Sequence, residues 1–248
     1  MSAGAETPPP PVPPTPVAVA TGGCPAASPW REPPALPPIR QDVVDPADTE
    51  AVAWLCGLLG RGQADLYGQD EADLCLLPTL TRTWMVRGEQ LKVKAPGTNE
   101  KRSVSAAVDL AEGTLLWRTD ERRCADQFCA TLHACVERST GRGRLAVLLV
   151  DNAQAHRVGK TGIVRQGLDQ HAGQVVLVFL PTYSPDLQPT ERLWRQWRPN
   201  VTHNHIRDRI ADLQADSDAW LARMAANPKD TLRIVGHPFI VQPLVQAA

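Results

Sequence analysis

Apolar and polar positions along the first half of the chain predict one short helix followed by strands. Apolar residues recur at helical spacing over 47–59, and a strand-like segment over 64–69 runs into Asp70. Further strand-like segments, separated by glycine-containing turns, follow at 74–77, 83–86, 90–94, 104–108 and 115–117. This pattern is typical of an antiparallel meander.

From residue 120 onward, helical and strand-like patterns alternate. LAVLLV (145–150) and VVLVFL (175–180) are continuous apolar runs, as expected of strands buried on both faces of a sheet. Asp120 is placed to cap the first helix of this half. The predicted helices cover 120–141, 160–172, a segment that begins near Pro189, and 206–224. The order of elements predicts an α/β fold, a mixed sheet with helices on both faces.

Proline dominates the N-terminal region, where 13 of the 23 prolines precede residue 39. This stretch has almost no aliphatic pattern, so it cannot bury enough apolar surface to offset chain entropy. We therefore predict a disordered or polyproline-like tail, with a ligand for a proline-binding module as the alternative. The predicted organisation is a tail over 1–40, a linker helix over 41–62, an α/β domain over 63–226 and a C-terminal tail over 227–248.

Composition narrows the setting in which the protein works. No segment approaches the roughly twenty apolar residues that cross a bilayer, and no basic segment followed by an apolar run begins the chain. The six cysteines form no C-x-x-C pair, which predicts free thiols in a reducing compartment rather than a zinc site or disulfides. We expect a cytoplasmic protein without membrane partners.

The net charge of −1 conceals a segregation of charges. Residues 42–73 carry eight acids and one arginine, whereas 82–102 carry six basic residues against two acids, and 192–209 five against one. Cations that bind a phosphate backbone beside carboxylates that bind metal would give this pattern, and a solvated surface explains either basic segment equally well. The candidate DNA-binding residues are Arg82, Arg87, Lys92, Lys94, Arg195 and Arg198.

Three acids stand where an α/β sheet places its chemistry. Asp70 is on or just after the first strand, Asp151 directly follows LAVLLV, and Glu191 lies in the first turn of the helix after VVLVFL. Carboxylates that converge repel one another unless a cation lies between them, and oxygen-only ligands suit Mg²⁺ or Mn²⁺. Two such ions about 4 Å apart can activate a water or 3′-hydroxyl and stabilise the leaving oxygen of a phosphodiester.

Each acid also has a simpler interpretation. Asp151 with Asn152 is compatible with a turn, Glu191 with the favourable macrodipole at a helix N-terminus, and Asp70 with a solvated loop. Glu71 should point to the opposite face if this segment is a strand, so it is not assigned as a ligand. The spacing of the acids does not decide between these interpretations.

Three segments of the chain, in order, resemble the catalytic blocks of mariner-superfamily transposases of the bacterial insertion-sequence branch. They are YGQDEADLCLLPTLTRTWMVRGEQ (67–90), LLVDNAQAHR (148–157) and LPTYSPDLQPTERLWRQWR (180–198). The resemblance covers about residues 63–205. The third block is long and unusual in composition, which makes the match highly specific.

This resemblance implies an RNase H-like fold and metal-dependent DNA cleavage followed by strand transfer. It implies an Asp70–Asp151–Glu191 triad with two Mg²⁺ or Mn²⁺ ions, acting on terminal inverted repeats and target DNA as a homo-oligomer in a synaptic complex. Asn152 and His156 match positions beside the second acid and are assigned a support or DNA-contact role, while Tyr183 and Ser184 shape the loop that aims Glu191. Trp194 and Trp197 are interpreted as core residues rather than base-stacking platforms.

One feature departs from the family pattern. Helix-turn-helix modules that recognise inverted repeats normally precede the catalytic domain, whereas this chain begins with the proline-rich segment and one short helix. A truncated frame, a separate helix-turn-helix polypeptide joined by frameshifting, and a decayed copy all remain open. The alternative to an active transposase domain is an inactive remnant that at most binds DNA. A nuclease or resolvase of the same fold fits the third block less well.

Overall fold

The computed structural model describes residues 42–88, 92–153, 156, 158–159, 162–181 and 187–236. The predicted N-terminal tail, Tyr183 and Ser184 lie outside these residues. No helix among the described residues is long and apolar enough to cross a membrane. All five cysteines of this part are free thiols.

Within the described residues, six strands form one mixed sheet in the order β1-β6-β5-β2-β3-β4. The strands are β1 (Val43–Val44), β2 (Ala64–Cys75), β3 (Lys101–Asp109), β4 (Leu115–Asp120), β5 (Leu145–Val150) and β6 (Val175–Phe179). β2, β3 and β4 are antiparallel, as the meander predicted, whereas β2, β5, β6 and β1 are parallel. Both apolar runs are central strands, and every residue of LAVLLV is buried.

Six helices of the described chain cover both faces of the sheet, so the predicted fold class is confirmed. They are α1 (Thr49–Gly60), α2 (Ala125–Thr140), α3 (Ile163–Gln170), α4 (Pro189–Val201), α5 (Ile210–Ala225) and α6 (Pro228–Val235). Side chains of β2 alternate between the faces, as the pleat requires. Ala72 and Leu74 pack in a core with α4, α5 and α6, whereas Tyr67 packs in a second core with α2 and α3. A third core joins α1 to the first face of the sheet through Leu66 of β2.

Several predicted boundaries are corrected by pairing between strands. β2 continues to Cys75 because it pairs with β3 beyond the end of β5, so Asp70 lies inside a strand. Asp120 ends β4 and pairs with Ser103, and Cys124 takes the N-cap position of α2 instead. The strands predicted at 83–86 and 90–94 are wrong for the residues described there, because the alternating apolar pattern finds no partner strand, and Trp84 is fully exposed.

The two ends of the described chain belong to the packed structure. β1 pairs with β6, and α1 packs on the sheet, so residues 42–62 are more than a linker. Residues 228–235 form α6, whose Val235 is buried in the core with α4 and α5, which corrects the boundary predicted at residue 227. The helix predicted over 206–224 begins later than expected, because α5 starts at Ile210, and Ile206 is an exposed residue before it.

Candidate active site

Parallel pairing of β2 with β5 brings the first two acids together. Gly68 lies opposite Leu149, and the same register continued by two residues puts Asp151 beside Asp70. Asp70 is 7% exposed and its side chain faces α4. Asp151 follows β5 and is half-exposed.

The first turn of α4 lies directly against β2. A Cβ at Gly68 would lie 3.1 Å from Thr190 Oγ1 and 3.3 Å from Pro189 Cβ, so any larger residue would push α4 away by a few tenths of an ångström. Gln188 Nε2 also donates a hydrogen bond of 2.8 Å to the carbonyl of Gln69. These contacts bring Glu191, in the same turn, towards Asp70. A glycine within a strand is the sequence signal for such an approach, and Gly68 was absent from the predicted set of site residues.

The carboxylate of Asp70 is buried close to other acids. Its pKa is raised from 3.8 to about 7, mainly by burial. The hydrogen bond from the Glu71 N–H lowers the pKa, and the negative charges of Glu71, Asp151 and Glu191 contribute smaller increases. The third acid therefore lies close enough for its charge to act on Asp70. The indole Nε1–H of Trp194 donates to Asp70 Oδ2 at 3.1 Å.

Asp151 is held by a buried histidine. His156 Nδ1 lies 2.7 Å from Asp151 Oδ1, and the N–H of Ala153 donates to the same oxygen at 2.9 Å. The hydrogen bond with His156 is the main reason why the pKa of Asp151 lies below its usual value, with burial opposing. Both donors use Oδ1, which leaves Oδ2 available to a further ligand.

The other ring nitrogen of His156 binds Glu71. His156 Nε2 lies 3.1 Å from both carboxylate oxygens of Glu71. Burial alone would lower the pKa of His156, but hydrogen bonds with Asp151 and Glu71 outweigh it and raise the pKa to about 10. The histidine is therefore an imidazolium between two carboxylates. Glu71 faces away from Asp70, as the strand geometry predicted, and acts as a counter-ion that sequence reasoning had not identified.

Two arginines lie at the rim of this cluster. Arg123, in the β4–α2 loop, donates to the carbonyl of Glu71 at 3.0 Å, and its charge lowers the pKa of Asp151. Arg198 Nη1 lies 3.5 Å from Glu191 Oε2 along α4. Arg123 was absent from the predicted set, because only folding brings the β4–α2 loop to β2.

The remaining predicted residues divide by position. Asn152 donates from Nδ2 to the carbonyl of Leu180 at 2.6 Å, which ties the end of β5 to the end of β6. Lys94 forms an exposed ion pair with Asp208 at 3.1 Å. The other predicted DNA-binding residues are exposed: Arg82, Arg87, Lys92 and Arg195. Trp194 and Trp197 are fully buried, in agreement with the core interpretation.

The donor set fits a divalent cation. In the described part of the chain, no three His, Cys, Asp or Glu side chains are gathered tightly enough to enclose an ion as they stand. Nevertheless, Asp70, Asp151 and Glu191 supply only oxygen donors. Burial is the main reason why the pKa of Asp70 is raised, and the charges of Asp151 and Glu191, which a cation would neutralise, add to the increase.

Residues 65–214 match the family model described as DDE superfamily endonuclease. The match covers more than half of the chain, and the chain belongs to this family. The insertion element IS630 uncharacterized 39 kDa protein of Shigella sonnei is 28% identical over 178 residues, which are 71% of this chain and 49% of that protein. The chain thus spans about half the length of this curated relative.

Solved structures of Mos1 transposase share the fold. The chain is similar to the pre-cleavage Mos1 transpososome with a TM-score of 0.55 at 16% identity, over 80% of this chain and 60% of that chain. For the Mos1 mariner paired-end complex with Mn, the TM-score is 0.54 at 16% identity, over 88% and 67%. The paired-end complex with the left transposon end gives 0.53 at 18%, over 91% and 67%. The RNase H-like fold predicted from the sequence is confirmed.

Proposed function

We propose that this chain is the catalytic domain of a transposase that cleaves DNA phosphodiester bonds and joins DNA strands, with Asp70, Asp151 and Glu191 as its metal-binding triad. The proposal is supported chiefly by the packing of β2, the end of β5 and the first turn of α4 against one another, with the charges of Asp151 and Glu191 acting on Asp70, in a chain of the DDE superfamily endonuclease family. Relatives described as Mos1 complexes with Mn, with Mg and with transposon ends support divalent metal and DNA as its ligands.

Some residues of the site would bind the metal ions, and others would orient the residues that bind them. Two Mg²⁺ or Mn²⁺ ions, when bound, supply an activated oxygen nucleophile and stabilise the leaving oxygen of an in-line displacement. Asp151, with Oδ1 occupied by His156 and Ala153, would use Oδ2 to bind metal. Asp70 and Glu191 approach from β2 and α4. We propose His156 as a support residue that fixes the side-chain conformation of Asp151, and Asn152 as a support for the loop after β5.

DNA would be bound by cations outside the triad. Basic residues before β3 and on α4 are at least partly exposed and could bind phosphates, although Lys94 would first have to leave Asp208. The proposed contacts are Arg82, Arg87, Lys92, Lys94, Arg195 and Arg198. Arg198 pairs with Glu191 here, and we propose that it turns to the phosphate backbone when Glu191 binds metal. The DNA would be the terminal inverted repeats and the target, bound by a homo-oligomer in the bacterial cytoplasm, with helix-turn-helix recognition on a separate polypeptide as one option.

The test is replacement of Asp151 by alanine. We expect Asp151→Ala to abolish Mg²⁺-dependent nicking and strand transfer on inverted-repeat DNA, supplied with any upstream helix-turn-helix polypeptide, while most DNA affinity remains. Asp230→Ala is the matched control, because Asp230 is an exposed acid of α6 whose ion-pair partner within the described residues is Arg233. Equal cleavage by Asp151→Ala and the wild type would refute the triad. Binding without cleavage by the wild type would favour the inactive remnant.

A further inference from the structure

Two buried tryptophans of α4 belong to one core and differ in the partner of the indole N–H. Trp194 and Trp197 are both fully buried, and their rings meet edge-on with centroids 5.6 Å apart. Trp197 Nε1 donates to the hydroxyl of Ser217 at 3.1 Å, whereas Trp194 Nε1 donates to the carboxylate of Asp70, also at 3.1 Å. A buried indole N–H needs a hydrogen-bond acceptor, and the neutral hydroxyl of Ser217 is sufficient for Trp197.

A buried carboxylate is a costly partner for a structural tryptophan. Removing a charge from water is unfavourable, so an acid whose only role was to satisfy the indole would destabilise the core. The hydrogen bond has two geometric consequences. It fixes Asp70 Oδ2, and it ties β2 to α4 one turn after Glu191, so the separation of these two acids depends on it.

We propose that Trp194 is a positioning residue for the metal site: its indole N–H holds the Asp70 carboxylate and fixes α4, and hence Glu191, at the separation that metal binding requires. This inference deepens the proposed function and rests on it. The indole N–H can only donate, so it binds the carboxylate and cannot compete with it as a metal ligand. Hydrogen-bonding partners of metal ligands typically contribute about 10- to 100-fold to metal affinity or activity.

The first test follows the indole N–H groups directly, with no DNA present. Full-length protein labelled with ¹⁵N-tryptophan is titrated with Mg²⁺, and the Trp194 indole signal is identified by its absence in Trp194→Phe. We expect this signal to move with Mg²⁺, and to move less in Asp151→Ala, while the Trp197 signal stays nearly fixed. A Trp194 signal that does not respond to saturating Mg²⁺ would overturn the inference.

The second test compares two matched variants. Trp194→Phe and Trp197→Phe each remove one indole N–H bond of 3.1 Å and a similar volume from the same buried helix face. We expect similar losses of stability from both. Only Trp194→Phe should raise, by about 10-fold, the Mg²⁺ concentration at which stabilisation of the protein against urea is half-maximal. Equal metal dependence of the two variants would show that Trp194 is only a core residue.

A third variant isolates the hydrogen bond if Trp194→Phe does not fold. Replacing Trp194 by β-(3-benzothienyl)alanine exchanges the N–H for sulfur and retains the ring shape. The shift in metal dependence should persist in this variant, and wild-type metal dependence would refute the role of the N–H. A wild-type protein that binds Mg²⁺ through this site but cleaves no DNA would refute the proposed function and leave the positioning role supported.

Discussion

Asp70 is buried, so its ionised carboxylate destabilises the folded protein, and replacing it with a neutral residue should make the protein more stable. The pKa of Asp70 rises from 3.8 to about 7 on folding, mainly through burial. The folded protein therefore holds the proton more tightly than the unfolded chain does. The stabilisation by the protonated form is complete below pH 3.8 and is lost as the pH rises through 7, so at pH 8 the ionised carboxylate opposes folding.

The size of the effect follows from this rise in pKa. At about 1.4 kcal/mol for each pKa unit, the increase from 3.8 to about 7 corresponds to at most about 4 kcal/mol at pH 8. Asparagine has the same shape, and its oxygen can still accept the hydrogen bond from Trp194. Its amide nitrogen, however, replaces the oxygen that accepts the N–H of Glu71, at a cost of about 1 kcal/mol. We expect Asp70→Asn to raise the free energy of unfolding at pH 8 by about 1–3 kcal/mol.

Urea denaturation in EDTA at pH 8 and pH 5 measures this difference. The gain should shrink to less than half at pH 5, where much of the penalty on the wild type has disappeared. Asp73→Asn, an exposed residue of the same strand, is the control and should show no such pH dependence. Added Mg²⁺ should stabilise the wild type and not Asp70→Asn, because a ligand stabilises the state that binds it. The reasoning would be refuted if Asp70→Asn were no more stable than the wild type at pH 8, or if its gain in the free energy of unfolding were the same at both pH values.

Three further predictions concern the surroundings of the acids. Gly68→Ala should displace the first turn of α4 by a few tenths of an ångström, lower kcat for DNA cleavage by about 10-fold and cause a small loss of stability in urea. An unchanged kcat would contradict the close approach of α4. His156→Gln should lower the free energy of unfolding by about 3–5 kcal/mol at pH 6, because Glu71 loses its buried cation, and this loss should decline as the pH rises towards 10. His133→Gln, at a half-exposed position, is the control and should cost less than about 1 kcal/mol. Equal losses in the two variants would refute the buried ion pair. DNA affinity measured against salt should fall linearly on logarithmic axes, and Arg195→Ala should reduce the slope by about 1; an unchanged slope would remove Arg195 from the interface.

Local sequence was sufficient for the central elements of the fold. LAVLLV and VVLVFL predict buried strands because a strand covered on both faces needs apolar residues at every position. Pro189 correctly predicts the start of α4 because its fixed φ suits the first helical turn. The same kind of evidence failed at 83–86, where an alternating pattern has no strand beside it. Periodicity reports which side of a segment is apolar, and it contains no information about the presence of a neighbour.

Only the tertiary structure decided which groups hold the acids. Trp194 donates to an acid 124 residues earlier in the chain, and His156 joins Asp151 to Glu71, 85 residues away. These contacts depend on the order of strands in the sheet, which puts β5 beside β2, and on the packing of α4 against Gly68. The sequence by itself determined the two central apolar strands and the start of α4, and it singled out the acids that we propose as the triad. The distances between the acids and their partners were set by long-range packing, because residues far apart in the chain meet only after the elements between them have folded.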